Sequence, residues 1–453
     1  MSLFSCANII PPGGGPRDTI PPRLIGSIPK DSALNVSNSI IILTFDEYIQ
    51  LQNVNENLIL SPNPKQMPFV DYKLHNVTVK LKDSLEINTT YSINFGSAIK
   101  DVNEGNLAKE FTYVFSTGKT IDSNQYKGYV FLAESGKIDS TLLVVLHNNT
   151  ADSSIIKNNP RYIAKLNGKG YFSFKYLPEG EFSVYVVPNE FSKKYDDSTK
   201  LFAFIKDPIL INKVTRTDTL FAYQEFKKRD SKTLNNSGNN DPKMGGKSKI
   251  EDKRLKYTVN LETGQQDLLS PLQFSFNRPL KIWDSSKIVL LDTSFKPLPG
   301  YKITIDTGNT KISLSFPWKE KTAYRVIINK DAVVDTGGIN LLKSDSARFI
   351  SKREADYGSC RMRFTNIDLS KNPVLQLLVD GKIIESIPLT GKEFIRKRFQ
   401  PGEFEVRILF DKNKNGIWDP GNFKEKKQPE IVQSFAKKLI IRADRDTDQS
   451  YIF

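Results

Sequence analysis

Ile40-Ile41-Ile42-Leu43-Thr44-Phe45-Asp46-Glu47 opens a set of landmarks that returns in the same order much later in the chain. After it come Val77-Thr78-Val79-Lys80-Leu81, then Asn88-Thr89-Thr90-Tyr91-Ser92-Ile93-Asn94-Phe95. The turn Asp101-Val102-Asn103-Glu104-Gly105-Asn106-Leu107 and the run Thr112-Tyr113-Val114-Phe115-Ser116-Thr117 complete the set. The second set is Leu272-Gln273-Phe274-Ser275-Phe276-Asn277, Lys311-Ile312-Ser313-Leu314-Ser315-Phe316 and Thr322-Ala323-Tyr324-Arg325-Val326-Ile327-Ile328. It closes with Asp335-Thr336-Gly337-Gly338-Ile339-Asn340-Leu341 and Ala347-Arg348-Phe349-Ile350. Landmarks kept in order mark a long internal repeat. Within each copy apolar and polar residues alternate over short runs separated by turns. That period of two predicts half-buried antiparallel strands in a sandwich of about 100 residues. The Asp…Gly…Asn stretch supplies a turn that needs positive φ and side chains that bond their own backbone.

A different unit follows each copy. After the first come Gly128-Tyr129-Val130-Phe131, Leu142-Leu143-Val144-Val145-Leu146 and Tyr171-Phe172-Ser173-Phe174. After the second come Cys360-Arg361-Met362-Arg363-Phe364, Val374-Leu375-Gln376-Leu377-Leu378-Val379 and Phe394-Ile395-Arg396-Lys397-Arg398-Phe399. Pro178-Glu179-Gly180-Glu181-Phe182 and Pro401-Gly402-Glu403-Phe404 are the same tight turn feeding an alternating strand. The chain therefore reads as all-β, four tandem β-sandwich domains in an A-B-A′-B′ arrangement. The expected boundaries are a tether over 1–20 and domains over 21–118, 123–226, 255–352 and 354–453. Residues 227–254 carry nine basic residues against four acidic ones with no apolar periodicity. Such a tract cannot bury enough surface to order itself, so it reads as a linker or long loop.

Composition agrees. A chain of 453 residues is too long for one core. No run of about 18 apolar residues exists, so no spanning helix is expected. The 65 Lys and Arg against 51 Asp and Glu leave a net charge of +14. It is spread along strands, as at Lys73, Lys80 and Lys82, which suits solvent faces and edges that resist aggregation. A nucleic-acid binder would concentrate that charge on one element, so no nucleic-acid partner is expected.

The cysteines are Cys6 and Cys360. Leu3-Phe4-Ser5-Cys6 has the Leu and small residue of a lipobox, and Pro11-Pro12-Gly13-Gly14-Gly15-Pro16 follows as a flexible spacer. Cys6 is thus the expected lipidation site. Only Met1 and Ser2 precede the box, with no charged or long apolar leader. An ordinary N-terminus with one spare thiol is the other reading.

Asp411-Lys412-Asn413-Lys414-Asn415-Gly416-Ile417-Trp418-Asp419 is the sharpest short motif. Oxygen side chains at Asp411, Asn413, Asn415 and Asp419, the Ile417 carbonyl and the bend at Gly416 match a calcium loop. Position 12 is Asn422 where a bidentate Glu belongs, and two lysines flank the carboxylates. Any Ca²⁺ would bind weakly; no cofactor is required. An Asx-rich turn closed by its own side chains fits equally well. Pro188 to Asp197, the matching stretch of the second domain, lacks the spacing and the Gly.

Catalytic residues find little support. His75 and His147 are the only histidines and fall in different domains, which excludes a zinc cluster. No nucleophile elbow, P-loop or dinucleotide fingerprint is present. Asp46 and Glu47 are adjacent in a strand and so face opposite ways. Trp283, Trp318 and Trp418 are read as core or edge packing, with a sugar-stacking platform as the competing use.

The landmarks resemble a family of Bacteroidota lipoproteins that open with a bacterial Ig-like domain of the type called Big_5. The residues that carry the resemblance are Cys6-Ala7-Asn8, Gly13-Gly14-Gly15-Pro16-Arg17-Asp18, Thr19-Ile20-Pro21-Pro22 and Phe45-Asp46-Glu47. Asn55-Glu56-Asn57, Pro62, Lys65-Gln66-Met67-Pro68 and Phe115-Ser116-Thr117-Gly118 continue it. The unit after it resembles the carboxypeptidase-regulatory, transthyretin-like sandwich. The resemblance implies a non-catalytic, lipid-anchored outer-membrane scaffold. The absence of acidic residues just after Cys6 favours the periplasmic face over the cell surface. The expected partner is a protein of an outer-membrane assembly or transport complex. The alternative is a module that binds envelope polysaccharide.

Overall fold

The computed structural model describes residues 17–225 and 254–453. Cys6 and residues 227–253 lie outside them. Among the described residues the regular elements are nearly all strands, and no helix is long and apolar enough to cross a membrane. The described residues fall into two compact units. One takes residues 17–225 with Arg407–Ser434, the other residues 254–406 with Phe435–Phe453.

In the first unit, Leu24–Ile28, Ile40–Phe45, Asn76–Lys80 and Phe69–Lys73 form an antiparallel sheet in that order. Ile59–Ser61, Thr90–Asn94 and Thr112–Ser116 form the facing sheet, and Ile49–Leu51 pairs with Ile99–Asp101. Ile41, Leu43, Phe45, Val77 and Val79 are buried against Ile93, Phe95 and Phe115. Their strand neighbours Ile40, Thr44, Thr78 and Lys80 lie on the other face, as the period of two requires.

The second sandwich of this unit sets Tyr171–Leu177, Asn124–Leu132 and Arg216–Ala222 in one sheet. Its other sheet runs Tyr162–Lys165, Leu142–His147, Gly180–Pro188 and Ala203–Phe204, with Ile209–Ile211 also paired to Gly180–Pro188. Asn124–Leu132 and Arg216–Ala222 run parallel, a pairing that needs a long crossover and that no local pattern announces. Leu142–His147 is buried at every position, so it reads as an apolar run and not as an alternation. The two sandwiches touch. Arg161 donates two bonds to the Glu86 carboxylate at 2.6 and 2.7 Å, and the Asn63 N–H donates to the Arg161 carbonyl at 2.7 Å.

The second unit repeats the first sandwich. Tyr257–Val259, Leu272–Phe276, Lys311–Ser315 and Lys302–Ile305 form one sheet. Ile288–Leu291, Ala323–Ile328 and Asp345–Ser351 form the other with the short Gln265–Gln266, while Leu280–Trp283 pairs with Val333–Asp335. The strand order matches that of the earlier copy sheet for sheet, apart from the added Gln265–Gln266. Glu393–Phe399, Gly358–Thr365 and Asp446–Ile452 follow, again with one parallel pair. Gly402–Phe404 pairs with Leu439–Ile441 as Gly180–Phe182 pairs with Ile209–Ile211, so the shared Gly-Glu-Phe turn feeds the same strand in both. The Tyr357 hydroxyl links the two sandwiches of this unit, accepting from the Leu268 N–H at 2.7 Å and donating to Asp267 at 3.1 Å.

Candidate functional site

The Asp…Gly…Asn turns are built around one buried carboxylate each. Asp101 accepts the N–H groups of Glu104, Gly105 and Asn106 at 2.6, 2.9 and 2.6 Å. Asp335 accepts those of Gly337 and Ile339, both at 2.8 Å, and meets the Arg278 guanidinium at 3.4 Å. Burial pushes the Asp101 carboxyl up, but the N–H donors of Gly105, Glu104, Asn106 and Asn103 outweigh it, so Asp101 titrates below the usual carboxylate range. The Ile339 N–H holds Asp335 down in the same way, against the cost of burial. Both are turn anchors. Nearby, Asp46 accepts the Arg23 N–H at 2.7 Å. The Glu47 carboxyl is pushed up by burial and by the neighbouring Asp101, Asp18, Asp46 and Glu104.

The motif from Asp411 to Asp419 lies in the first unit, in the segment Arg407–Ser434. Asp411 is buried, and its carboxylate accepts the N–H groups of Asn415 at 3.2 Å and Gly416 at 2.7 Å. Gly416 has φ of +76°, which glycine adopts at no steric cost. Asn413 and Asn415 accept the N–H groups of Asn415 and Ile417 at 3.1 and 2.7 Å, which assigns their amide oxygens. Their amide nitrogens then face the Asp419 carboxylate, Asn413 at short range and Asn415 at 3.2 Å. A bound cation needs those oxygens turned toward one point. Among the described residues no three His, Cys, Asp or Glu side chains gather to hold a metal. Asp411, Asn413, Asn415 and Asp419 thus close this turn through their own bonds.

Two residues that the spacing does not reveal complete this loop. Glu430 is buried and its two oxygens accept the Lys412 N–H at 2.7 Å and the Asp419 N–H at 3.1 Å. Its carbonyl accepts the Trp418 indole N–H at 2.8 Å. Phe423 leaves the loop and enters the second sandwich, where Phe202, Phe204, Tyr185 and Tyr195 surround it at ring separations of 5.1, 5.2, 5.9 and 5.9 Å. All four contacts are edge-on, the favoured aromatic geometry. The Phe423 N–H donates to Glu225 at 2.7 Å, the Gln428 amide to the Phe204 carbonyl at 3.0 Å, and the Lys426 ammonium pairs with Asp152. The Val432 N–H donates to the Ala133 carbonyl at 2.8 Å. Gly136 and Gly421 permit this approach: a Cβ on Gly136 would stand 2.6 Å from the Val432 carbonyl, and one on Gly421 2.6 Å from the Tyr223 ring.

Residues 18–117 match the bacterial Ig-like domain called Big_5. That span holds every strand of the first sandwich, so the Ig-like domain and the first repeat copy coincide. No curated protein matches the chain. Among solved structures, the Bacillus anthracis TIE protein is similar at 11% identity and a TM-score of 0.18, over 98% of this chain and 76% of that one. BcpA, the major pilin subunit of Bacillus cereus, is similar at 9% and 0.18, over 73% and 99%. The S-layer protein rSbsC(31-844) is similar at 11% and 0.17, over 96% and 54%.

The remaining candidates are packing residues. His147 is buried in its strand beside Tyr185, and its Nε2 has no hydrogen-bond partner among the described residues. His75, in the Ig-like domain, packs against Tyr48 with ring centroids 4.3 Å apart and planes tilted by 35°. Trp318 is buried against Tyr324 and Phe349, with its indole N–H on the Ser270 carbonyl at 3.1 Å. Trp418 packs beside the Phe423 cluster and Trp283 against the core of the third sandwich. A sugar platform built on Trp318 is thereby excluded.

Proposed function

We propose that the protein is a non-catalytic scaffold of the bacterial envelope, held at the outer membrane by a lipid on Cys6 and facing the periplasm. It works by presenting sandwich edges and turn loops to a protein of an outer-membrane assembly or transport complex. The observation that carries this reading is the bracing of the first unit. Arg161 and Glu86 join its Ig-like domain to the next sandwich, and Phe423 locks the Arg407–Ser434 segment into that sandwich. Such contacts fix the relative placement of recognition surfaces, which lowers the ordering cost of binding. The chemistry-bearing side chains are spent on structure: Asp101, Asp335, Asp411 and Glu430 each satisfy backbone N–H groups. The second and fourth sandwiches are read as carboxypeptidase-regulatory-like modules of the same scaffold.

The test is in-cell crosslinking followed by purification of the tagged protein from detergent-solubilised membranes and mass spectrometry. A membrane protein that crosslinks to wild type and is lost on Phe423→Ala supports the proposal. Recovery of the chain alone at every crosslinker length contradicts it.

A further inference from the structure

We propose that the outer face of the sheet containing Leu24–Ile28 rests on an anionic lipid surface. The register fixes which residues share that face. Ile28 pairs with Ile42, Ile42 with Thr78, and Thr78 with Asp71. Ile40 pairs with Lys80, and Lys80 with Phe69. Thr44 pairs with Asn76 and their side chains are hydrogen-bonded at 2.8 Å, while Asn76 pairs with Lys73. The buried Ile41, Leu43, Val77 and Val79 occupy the opposite face.

An antiparallel sheet with one face in water carries polar residues there. This face instead carries Ile28 at 66% exposure, Ile40 at 41% and Phe69 at 51%, with Ile42 between them. Ile25, exposed at 67%, stands beside them at the bulge between Leu24 and Gly26. The charges around the apolar residues are mainly cationic. Lys73 and Lys80 lie in the same rows and Lys82 is exposed two residues on; the acidic residues near them are Asp71 and Asp83, the latter half-buried and accepting the Lys65 and Gln66 N–H groups. The Lys80 ammonium stands 6.0 Å from the Phe69 ring centre, so its stem covers apolar surface while its head stays outward. Apolar side chains with an aromatic and flanking lysines match an interface of acyl chains and acidic headgroups. This inference rests on the lipid-anchor reading. Between Cys6 and Arg17 the chain spans at most roughly 35–40 Å. An acylated Cys6 thus holds this sandwich within reach of the bilayer.

The experiment uses the full chain with Cys6→Ser, which removes the acyl group and leaves only the face. The protein is sedimented with vesicles of phosphatidylethanolamine and phosphatidylglycerol, and separately with phosphatidylcholine alone. Expected is binding to the anionic vesicles, weakened by salt, and a drop of roughly tenfold in the bound fraction for Lys73→Glu/Lys80→Glu. Ile28→Ser/Phe69→Ser gives the same loss. If that apolar variant fails to fold, as its circular dichroism reports, the lysine variant alone decides. Protein that stays in the supernatant with anionic vesicles overturns the proposal, as does binding that neither variant changes. A dimer by light scattering that Phe69→Ser dissolves, with no vesicle binding, assigns the face to a second copy and overturns it too. The anchor reading stands or falls separately, on whether wild type with Cys6 intact fractionates with membranes.

Discussion

The Phe423 ring meets the Phe202 ring edge to face, with 5.1 Å between centroids and 71° between planes. One residue comes from the segment after the Asp411 loop, the other from a sandwich about two hundred positions earlier, so this contact within the first unit joins parts of the chain that are far apart in sequence. Phe423 is buried and has edge contacts to four rings.

Phe423→Ala should therefore cost about 3–5 kcal/mol, the range for emptying a packed aromatic site. Chemical denaturation checks this. Proteolysis should show the segment Arg407–Ser434 cut earlier in the variant than in wild type. A variant as stable as wild type, with an unchanged digestion pattern, contradicts the locking role.

Asp101→Ala leaves three backbone N–H groups without their acceptor. The expected loss is roughly 1–3 kcal/mol, from charge-assisted bonds lost in a half-exposed turn. Asp101→Asn retains an acceptor and should lose less. Asp335→Ala should lower the melting temperature of the second unit in the same direction. Equal stability of Asp101→Ala and wild type rules out the anchor role.

His147 gives a pH signature. Burial pushes its imidazole down to about 4 from 6.5. Above about pH 6.5 both folded and unfolded states are neutral at this ring, so it adds no pH dependence. As pH falls below that value the unfolded state takes up a proton and the folded state does not. Stability is lost with a slope approaching 1.4 kcal/mol per pH unit, about 3 kcal/mol in all by pH 4. His147→Phe should remove this component, so that the gap between variant and wild type changes between about pH 7 and pH 4.5. A constant gap across that window contradicts the buried neutral ring.

The Asp411 loop is closed by its own bonds, with the Asn413 and Asn415 amides on Asp419. Calcium at about 10 mM should leave the melting temperature within a degree of its value in chelator. A site of about 1 mM affinity would instead stabilise by roughly 1.4 kcal/mol, a rise of a few degrees. Glu430→Gln should destabilise the loop whether or not calcium is added.

Much of this fold is legible in the sequence, and the reason is local. The alternation of Ile40 to Phe45 and of Leu272 to Phe276 fixes which face each strand buries, and burial follows it residue by residue. The Asp101 and Asp335 turns also carry their own signal, since the carboxylate and the N–H groups it accepts lie within five positions. What the sequence hides is long-range. Phe423 looks like one more aromatic in a polar stretch until Phe202 and Phe204 are brought to it, and Glu430 stands beyond the calcium-loop window yet accepts from both ends of the motif. Trp318 belongs to the same class: its neighbours Tyr324 and Phe349 decide that it is core.

The anchored scaffold is tested most directly by the intact mass of the mature protein isolated from native membranes. The expected product begins at Cys6 and carries the added mass of a diacylglyceryl group or its N-acylated form. A product recovered from the soluble fraction with an unmodified amino end contradicts it.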